Sequence, residues 1–576
     1  MSHSKEKGLM LMGLADLTVE RSGGSLVRRK GIYVVQLEGS FEKMGTQHGE
    51  LAASVCGDVV PRYMYDLIEK LIAHAAPHIA GAAANGIKRL FHRANRDNIG
   101  DDMQAHLGAL AKSLGYDPLF AERLFLVPDI VHYLAGRNYS TLGLPPLPPM
   151  CSAFYADGKA TKNGKLIVGR NFDFFGRGAW NANNALVVMK PNNGQRFCWI
   201  GALGISASGQ GFNESGIIVG LHTKFNKDLS LKGTPLFKIV HEILAKCKSL
   251  DEAVKVIKDS RPRISGLSIF VVDSKNRDAA VVGFSARHEE VLRPADGFLV
   301  RTNHYTTPEL QRFEVAPHPW RRNSYGRFRR VTEQIEARQG KLTERDATKI
   351  LSDCFDPFEG RKRVAGSIIA GANNVQSMVI SPDDDALWLA DGDYPVCHSN
   401  VFHGFSLSAL LDGDVENYLI DDIPGGKQLN KTERAALHEY EEAWSAYMDN
   451  LDSSRAISHL LRAHEILPHE PIFPRLAGII LMKEKRLETA LPLLVKNTEY
   501  DYNDKLMHGE ALIWLGRCYD LMDKRGDAVF AYNKAALLNV SPLSEAAVKH
   551  RRKPFTKLEL FSVAPEFIVG TGIAKY

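Results

Sequence analysis

The chain has 576 residues, 44% hydrophobic and 24% charged, with a net charge of +5 scattered along its length. That length implies more than one domain, and the composition is that of a globular protein. The mild, dispersed charge argues against a nucleic-acid partner, and no apolar run reaches the ~18 residues of a membrane span.

Seven cysteines (Cys56, Cys151, Cys198, Cys247, Cys354, Cys397 and Cys518) are odd in number and widely spaced. Without a CxxC pair or a disulfide framework, they fit a reducing, cytoplasmic location. The N-terminus has one short apolar patch and no small-residue cleavage site, so no signal peptide is expected.

In chain order, residues 1 to about 30 read as polar and frayed. Residues 32–37 read as a strand, followed by a glycine-spaced run, Gly39, Gly45 and Gly49, that leads into a helix. From Glu50 to about Tyr133 apolar residues recur at three and four, as in Met64, Leu67 and Leu71, which predicts helices. Pro145, Pro146, Pro148 and Pro149 then predict an extended, exposed segment.

Short β-branched or aromatic runs bounded by Gly, Asn, Pro or Asp dominate from Cys151 to about Phe405. They read as strands at 185–189, 197–200, 216–221, 267–272, 279–282, 377–380 and 387–390. Helical blocks interrupt them at 235–259, 324–339 and 344–353. This order suits a layered α+β domain.

From about Lys431 only helical patterns remain. Trp444, Gly478 and Gly516 each stand twelve residues before an alanine (Ala456, Ala490, Ala528), with Leu460, Leu494 and Tyr532 four further on. Such spacing resembles the tetratricopeptide repeat, although an ordinary helical bundle is also compatible with it.

One stretch carries chemistry. Residues 151–156 read as a strand, Lys162-Asn163-Gly164 as a turn, and residues 166–169 as a second strand running into Arg170-Asn171-Phe172-Asp173. The hairpin brings Cys151 toward Arg170 and Asp173. A thiol beside an arginine is a plausible nucleophile, since the cation favours thiolate, while a lone cysteine on an apolar strand is more often a small buried hydrophobe.

The motifs Cys-Ser-x-Phe, Gly-Arg-Asn-x-Asp, Gly211-Phe-Asn-Glu-Ser-Gly216, Thr302-Asn303-His304 and Ser324-Tyr-Gly-Arg327-Phe328 occur here in this order. In this they resemble the N-terminal-nucleophile (Ntn) amidohydrolases of the penicillin acyltransferase and choloylglycine hydrolase group, over roughly residues 31–410. The resemblance implies a four-layer α/β/β/α sandwich. Together with the repeat spacing it gives three regions: a mostly helical pro-segment over 1–150, a catalytic domain over 151–430, and an all-α tetratricopeptide-like domain over 431–576. It also implies cleavage between Met150 and Cys151, where the acyltransferase branch commonly has Gly before the nucleophile.

By the same resemblance Cys151 is the nucleophile. Arg170 sits beside its sulfur, and Asp173 holds the α-ammonium that processing creates. Asn213 and Asn303 stand near the oxyanion, and Arg327 near the nucleophile. Asn213 could equally be a turn residue, Arg170 and Asp173 a surface ion pair, and Arg327 part of a solvated arginine-rich face over 321–330. The implied substrate is a small acyl amide, hydrolysed or used for acyl transfer, with no cofactor and no metal.

Two other readings stand beside this one. The first is a Cys-His protease with His222 or His304 as base. The second is a non-catalytic adaptor that binds a protein or peptide on its helical repeats. His464-Glu-Ile-Leu-Pro-His469 has the wrong spacing for a zinc protease, and Asp383-Asp-Asp385 lacks calcium-loop spacing.

Overall fold

The computed structural model describes residues 17–138, 150–205, 207–414, 416–569 and 572–573. The proline segment expected to be extended, at 145–149, lies outside them.

The chain opens with β1 (Leu17–Arg21), β2 (Gly24–Arg29) and β3 (Ile32–Gly39), an antiparallel meander. The expectation of a frayed start to residue 30 is therefore corrected from Leu17 onward. Its physical reason lies in two tight turns. Ser22-Gly23 and Lys30-Gly31 all have positive φ (50°, 83°, 52° and 84°), the backbone that two-residue hairpin loops require. Five helices follow: α1 (Phe41–Val55), α2 (Val59–Ala73), α3 (Ala80–Ile99), α4 (Asp101–Ser113) and α5 (Pro118–Asn138). The glycine-spaced run belongs to α1 and lets it press on α4. A Cβ on Gly45 would meet His106 O at 2.2 Å, and one on Gly49 would meet Ser113 Cβ at 2.5 Å.

Next come β4 (Met150–Gly158) and β5 (Gly164–Asp173), then β6 (Asn184–Pro191), β7 (Phe197–Ala202), β8 (Gln210–Asn213) and β9 (Ile217–Thr223). After α6 (Leu236–Lys246) and α7 (Leu250–Asp259) the chain forms β10 (Leu267–Asp273), β11 (Asp278–Phe284), β12 (Glu289–Leu292) and β13 (Phe298–Arg301). The short α8 (Pro308–Gln311), α9 (His318–Glu336) and α10 (Glu344–Leu351) precede a two-residue ribbon, β14 (Phe355–Asp356) and β15 (Arg361–Lys362). The last strands of this part are β16 (Asn374–Ser381), β17 (Ala386–Ala390), β18 (Val401–Ser406) and β19 (Leu419–Pro424), with α11 (Leu407–Asp412) before the last.

These strands make two large sheets. One runs β1-β2-β3-β6-β7-β8-β9-β10-β11-β12, and the other β13-β4-β5-β16-β17-β18-β19. Alternate residues of each strand face opposite ways, and the packing follows that period. Val34, Tyr155, Val168, Leu186, Ile200, Phe270, Met378 and Leu389 form one buried cluster between the sheets. Phe154, Ile167, Val379 and Trp388 turn outward onto Val331 and Ile335 of α9 and Ile350 of α10. On the far side Val35, Val187, Trp199 and Val271 pack with Met44 of α1, Leu107 of α4 and Ile239 of α6. Helices, sheet, sheet and helices thus stack in four layers.

The boundary expected at residue 150 does not divide this fold. β3 pairs in parallel with β6, Tyr33 opposite Ala185, so residues on both sides of 150 share one sheet.

The C-terminal helices are α12 (Lys431–Trp444), α13 (Ser453–Ile466), α14 (Ile472–Lys483), α15 (Leu487–Thr498), α16 (Lys505–Leu521), α17 (Arg525–Leu537), α18 (Leu543–Arg552) and α19 (Lys557–Phe561). Those from α12 to α18 pack each against the next. A Cβ on Gly478 would lie 2.8 Å from Leu494, and one on Gly516 would lie 2.5 Å from Tyr532. The spaced small residues thus mark the close approaches within successive helix pairs. The array is fastened to the sandwich by buried charge. Arg363, 4% exposed, meets Glu470 at 2.6 Å and Asp356 at 3.4 Å, and Arg322 meets Asp504 at 2.6 Å.

Candidate active site

The hairpin β4–β5 builds the site. Asn163 and Gly164 close it in left-handed backbone (φ 60° and 70°), and the register sets Cys151 opposite Phe172, Ala153 opposite Arg170 and Met150 opposite Asp173. Cys151 and Arg170 are therefore diagonal neighbours on one face, the face toward the other sheet. Arg170 Nη2 donates to Cys151 Sγ at 3.2 Å.

The rest of the guanidinium is fully engaged. Arg170 Nη2 also donates to Leu221 O at 2.6 Å, Nε donates to Gln210 Oε1 at 2.6 Å, and Nη1 lies 3.1 Å from His222 Nε2. Gln210 in turn donates to Gln376 Oε1 at 2.6 Å, and Gln376 donates to Asn184 Oδ1 at 3.0 Å and to Gly201 O at 2.6 Å. This chain of amides crosses between the sheets and locks the arginine in place. Gly220 on β9 leaves the room, because a Cβ there would stand 3.2 Å from Arg170 Nη1.

Ser152 and Asn171 point to the opposite face. There Arg327 of α9 donates to Cys151 O at 2.7 Å, to Ser152 Oγ at 2.9 Å and to Asn303 Oδ1 at 2.8 Å. Arg327 is 2% exposed, so it is no member of a solvated arginine face. Asn303 Oδ1 also accepts the Cys151 N–H at 3.0 Å, and its Nδ2 donates to Thr223 O at 3.2 Å. Asn303 thus reaches the nucleophile through its carbonyl oxygen.

Asp173 accepts from Asn374 Nδ2 at 2.8 Å and is 1% exposed. It lies on the face away from Arg170, and the two form no ion pair among the described residues. Burial pushes its carboxyl up to about 6, against the opposing pull of Arg327 and Asn374.

Asn213 is not brought to the thiol. Its Nδ2 donates to Leu244 O at 3.0 Å and Cys247 O at 2.9 Å, and its Oδ1 accepts from Ser215 N at 3.1 Å and Ile217 N at 2.9 Å. Every valence of that amide is spent on the β8–β9 turn and the end of α6. This corrects the expectation that Asn213 faces an oxyanion, and its turn role accounts for its bonds.

Neither histidine of the Cys-His reading serves as a base at the sulfur. His222 accepts from Arg170, which stands between it and the thiol, and burial followed by the Arg170 charge pushes its pKa well below the ordinary value. His304 stacks on Tyr325 at 3.9 Å and bonds Ser324 Oγ at 2.9 Å, and burial brings it to about 2.

The thiol itself is raised by burial, an effect larger than the opposing Arg170 charge. Arg170 favours the thiolate, as expected, but does not outweigh burial. A base must take the proton.

Cys151 opens onto a cavity of about 80 Å³ whose walls include Met64, Leu67, Phe172, Trp180, Leu236 and Phe237. Helices α2 and α5 supply one side, so the N-terminal region helps to build the site. Gln210, Gln376, Asn374 and the α5 residues were not identified from sequence. Only Gln210 carried a signal, standing next to the glycine-bounded motif at 211–216. Among the described residues no cluster of His, Cys, Asp and Glu could hold a metal, and no helix is long and apolar enough to cross a membrane.

Residues 159–390 match the family model of the acyl-coenzyme A:6-aminopenicillanic acid acyl-transferases. That span holds Arg170, Asp173, Asn303 and Arg327 and begins after Cys151. A curated relative, an uncharacterized protein of Archaeoglobus fulgidus, is 24% identical over 319 residues, covering 49% of this chain and 51% of the relative. The chain thus spans about half the length of the curated relative it matches. Among solved structures, the Caenorhabditis elegans N-acylethanolamine-hydrolyzing acid amidase ortholog aligns at 17% identity and TM-score 0.28, over 40% of this chain and 93% of that one. A mutant of the conjugated bile acid hydrolase from Clostridium perfringens aligns at 14% identity and TM-score 0.32, over 49% of this chain and 97% of that one. In its central segment the chain is similar to the acyl-coenzyme A:6-aminopenicillanic acid acyl-transferases.

Proposed function

We propose that the protein is a self-processing cysteine hydrolase of the N-terminal-nucleophile kind, which cleaves a small linear amide or transfers its acyl group through an acyl-cysteine. The observation that carries this reading is the setting of one thiol. Cys151 Sγ faces an apolar cavity and is held by Arg170, while Asn303 and Arg327 grip the same residue's N–H and C=O. The family match over 159–390 supports it.

Processing comes first. The Cys151 thiol attacks the carbonyl carbon of Met150, the C–N bond breaks, and the nitrogen leaves as an amine while a thioester forms at sulfur. Water then hydrolyses the thioester, leaving Met150 with a carboxylate. Met150 and Cys151 are 2% and 1% exposed, so this bond is shielded from foreign proteases yet next to its own thiol. At Met150 and Cys151 themselves the backbone is buried, not exposed.

The new α-amine, with a reference pKa near ~8, is the base the raised thiol needs. Asn303 Oδ1 already accepts a bond from that nitrogen, and Asp173 supplies a nearby carboxylate for the ammonium form. The amine takes the thiol proton, sulfur attacks the substrate carbonyl, and the ammonium protonates the departing nitrogen. Water or an amine then attacks the acyl-cysteine. Arg170 stabilises negative charge on sulfur before attack and on its release.

We also read the C-terminal helices as a tetratricopeptide-like array, on the strength of the close approaches of Gly478 to Leu494 and of Gly516 to Tyr532 at equivalent places.

The test is intact-mass analysis after treatment with a thiol-directed acyl probe. One acyl adduct on Cys151 is expected, and none on the Cys151→Ala protein. Equal labelling of both proteins overturns the reading.

A further inference from the structure

Asn303 touches Cys151, and four ionisable side chains hold the loop that carries it. The loop runs from Thr302 to Thr307, between β13 and α8. Lys224, the residue after β9, donates from Nζ to Thr302 O at 2.5 Å. Glu314 accepts the Tyr305 N–H at 3.3 Å, Glu290 accepts the Thr307 N–H at 3.2 Å, and Arg301 Nη1 donates to Thr306 Oγ1 at 3.2 Å. Arg301 also meets Glu290 at 3.2 Å. Lys224, Arg301 and Glu290 are 1%, 0% and 8% exposed, and Glu314 is half-buried. Burial, then repulsion by Arg301, holds Lys224 well below the ordinary lysine value, against the pull of Glu314 and Glu290. Burying such groups is costly, and a buried ionic cluster often adds no net stability over apolar residues of similar volume. What the cluster positions is the better reason for it.

Lys224 and its neighbour Thr223 grip Asn303 from two sides. Thr223 O accepts from Asn303 Nδ2 at 3.2 Å, and Lys224 Nζ reaches the carbonyl that precedes Asn303. The contacts close a ring through the Thr223–Lys224 peptide, the Asn303 side chain, the Thr302–Asn303 peptide and the lysine side chain. A carbonyl can only accept, so Thr223 O turns the Asn303 NH2 toward β9 and its oxygen toward β4. Arg327, which can only donate, demands the same orientation at 2.8 Å. The oxygen so fixed receives the Cys151 N–H at 3.0 Å.

We propose that Lys224 is a positioning residue for the chemistry at Cys151: its bond to Thr302 O holds the Asn303 carbonyl oxygen against the Cys151 nitrogen. The proposal rests on the reading of that nitrogen as the amine base after processing. One N–H of the free amine then stays on Asn303 Oδ1, which limits where its lone pair points. With Asn303 slack the amine turns freely, and proton transfer from sulfur slows. Lys224 is not among the residues that line the cavity, so acyl binding is left as it was.

The experiment is hydrolysis of p-nitrophenyl butyrate by the full chain, each rate divided by the fraction of chains that begin at Cys151. Lys224→Met is expected to lower kcat roughly tenfold with KM within about twofold, the pattern of a misplaced reacting group. In the Asn303→Ala background the same substitution is expected to change kcat by no more than about twofold, because the group it acts through is gone. A merely structural role would lower kcat by the same factor in both backgrounds. Lys224→Gln, which keeps a donor on a side chain one bond shorter, should fall between Lys224→Met and wild type. If Lys224→Met does not fold by circular dichroism, the cycle is run with Lys224→Gln, whose smaller loss must also vanish without Asn303. Equal losses in the two backgrounds, wild-type kcat in the Lys224 variant, or a loss confined to KM overturns the proposal. Ester hydrolysis that survives Cys151→Ala, or wild-type chains that never begin at Cys151, overturns the reading of the nucleophile and this proposal with it, so the two failures are told apart.

Discussion

Arg170 Nη2 lies 3.2 Å from Cys151 Sγ, although Arg170 stands opposite Ala153 in the strand pairing. The side chain reaches diagonally along the inner face and is held there by Gln210, Leu221 O and His222. Geometry as well as charge is therefore required of it. Arg170→Lys keeps the cation but cannot reproduce the fork of bonds. We expect kcat/KM on an acyl amide to fall roughly a hundredfold in that variant, the scale of losing one electrostatic partner at a reacting centre. Gln210→Leu should give a smaller loss in the same direction, with the protein still folded by circular dichroism. Wild-type rates for Arg170→Lys would remove the arginine from the chemistry.

N-terminal sequencing of the denatured protein should find Cys151 as a second N-terminus, and Cys151→Ala should abolish it. Asn303→Ala should slow processing, because Asn303 Oδ1 holds the Cys151 N–H in line with β4. The two products should stay together without denaturant, since β3 from one is hydrogen-bonded to β6 of the other. A single intact chain with full amidase activity would refute processing.

The Asp173 carboxyl, raised by burial to about 6, sets a pH limb. It must be ionised to hold the α-ammonium, which in the processed protein draws its pKa down from that value, so activity should fall on the acid side of about 6, and Asp173→Asn should abolish that limb along with most of the rate. For stability the sign is the reverse. An acid raised above its ordinary value near ~4 keeps its proton longer in the folded state, so this group makes folding less favourable as pH rises from ~4 to ~6. An Asp173→Asn rate profile that keeps the wild-type acid limb would refute the assignment.

Acid should loosen the N-terminal helices. His48 of α1, His106 of α4 and His241 of α6 lie in one aromatic cluster with Trp199, and burial depresses them to about 3, 4 and 3. Each is neutral when folded and takes a proton more readily when unfolded. Their contribution is full above pH ~6.5 and is lost as pH falls from there toward about 4. Together they can cost several kcal/mol, a large fraction of the stability of a typical domain. Amide hydrogen exchange between pH 7 and pH 4.5 should show α1 and α4 opening ahead of the sheets. Uniform protection across that range would count against this account.

Sequence spacing marks residues from about 431 as a separate helical domain, which by itself would leave the chemistry to the rest of the chain. The interface argues otherwise. A chain ending at Asn430 would leave Arg363 buried without Glu470, and breaking one partner of a buried pair typically costs about 3–5 kcal/mol. It would also uncover Phe175, which packs edge-on to Trp444 at 5.5 Å. We expect that shortened chain to be insoluble or strongly destabilised, and Glu470→Gln to lower the urea midpoint of the full chain. A soluble, fully active chain ending at Asn430 would restore the expectation drawn from spacing.

What the sequence determined by itself was local. Alternation and turn chemistry placed the β4–β5 hairpin, and the Asn163-Gly164 turn brought Cys151, Arg170 and Asp173 to one end of it. Helical periodicity marked α2 and the C-terminal pairs, and the small residues at Gly478 and Gly516 marked where those pairs close. Local patterns failed where partners come from far along the chain. Residues 17–29 read as polar because these strands lie at the sheet edge, and their hydrogen bonds, not their composition, make them β. Asn213 and Asn303 look alike in sequence, each near Gly or Thr. Only the packing of α6 against β8 uses up the first, and only the approach of α9 to β4 brings the second to Cys151. Tertiary structure also set Cys151 and Asp173 on the unfavourable side of their ordinary pKa values, because burial, which no spacing reveals, outweighs the nearby arginines. It likewise placed His132, a lone histidine on an apolar helix, in the wall of the cavity that the thiol faces.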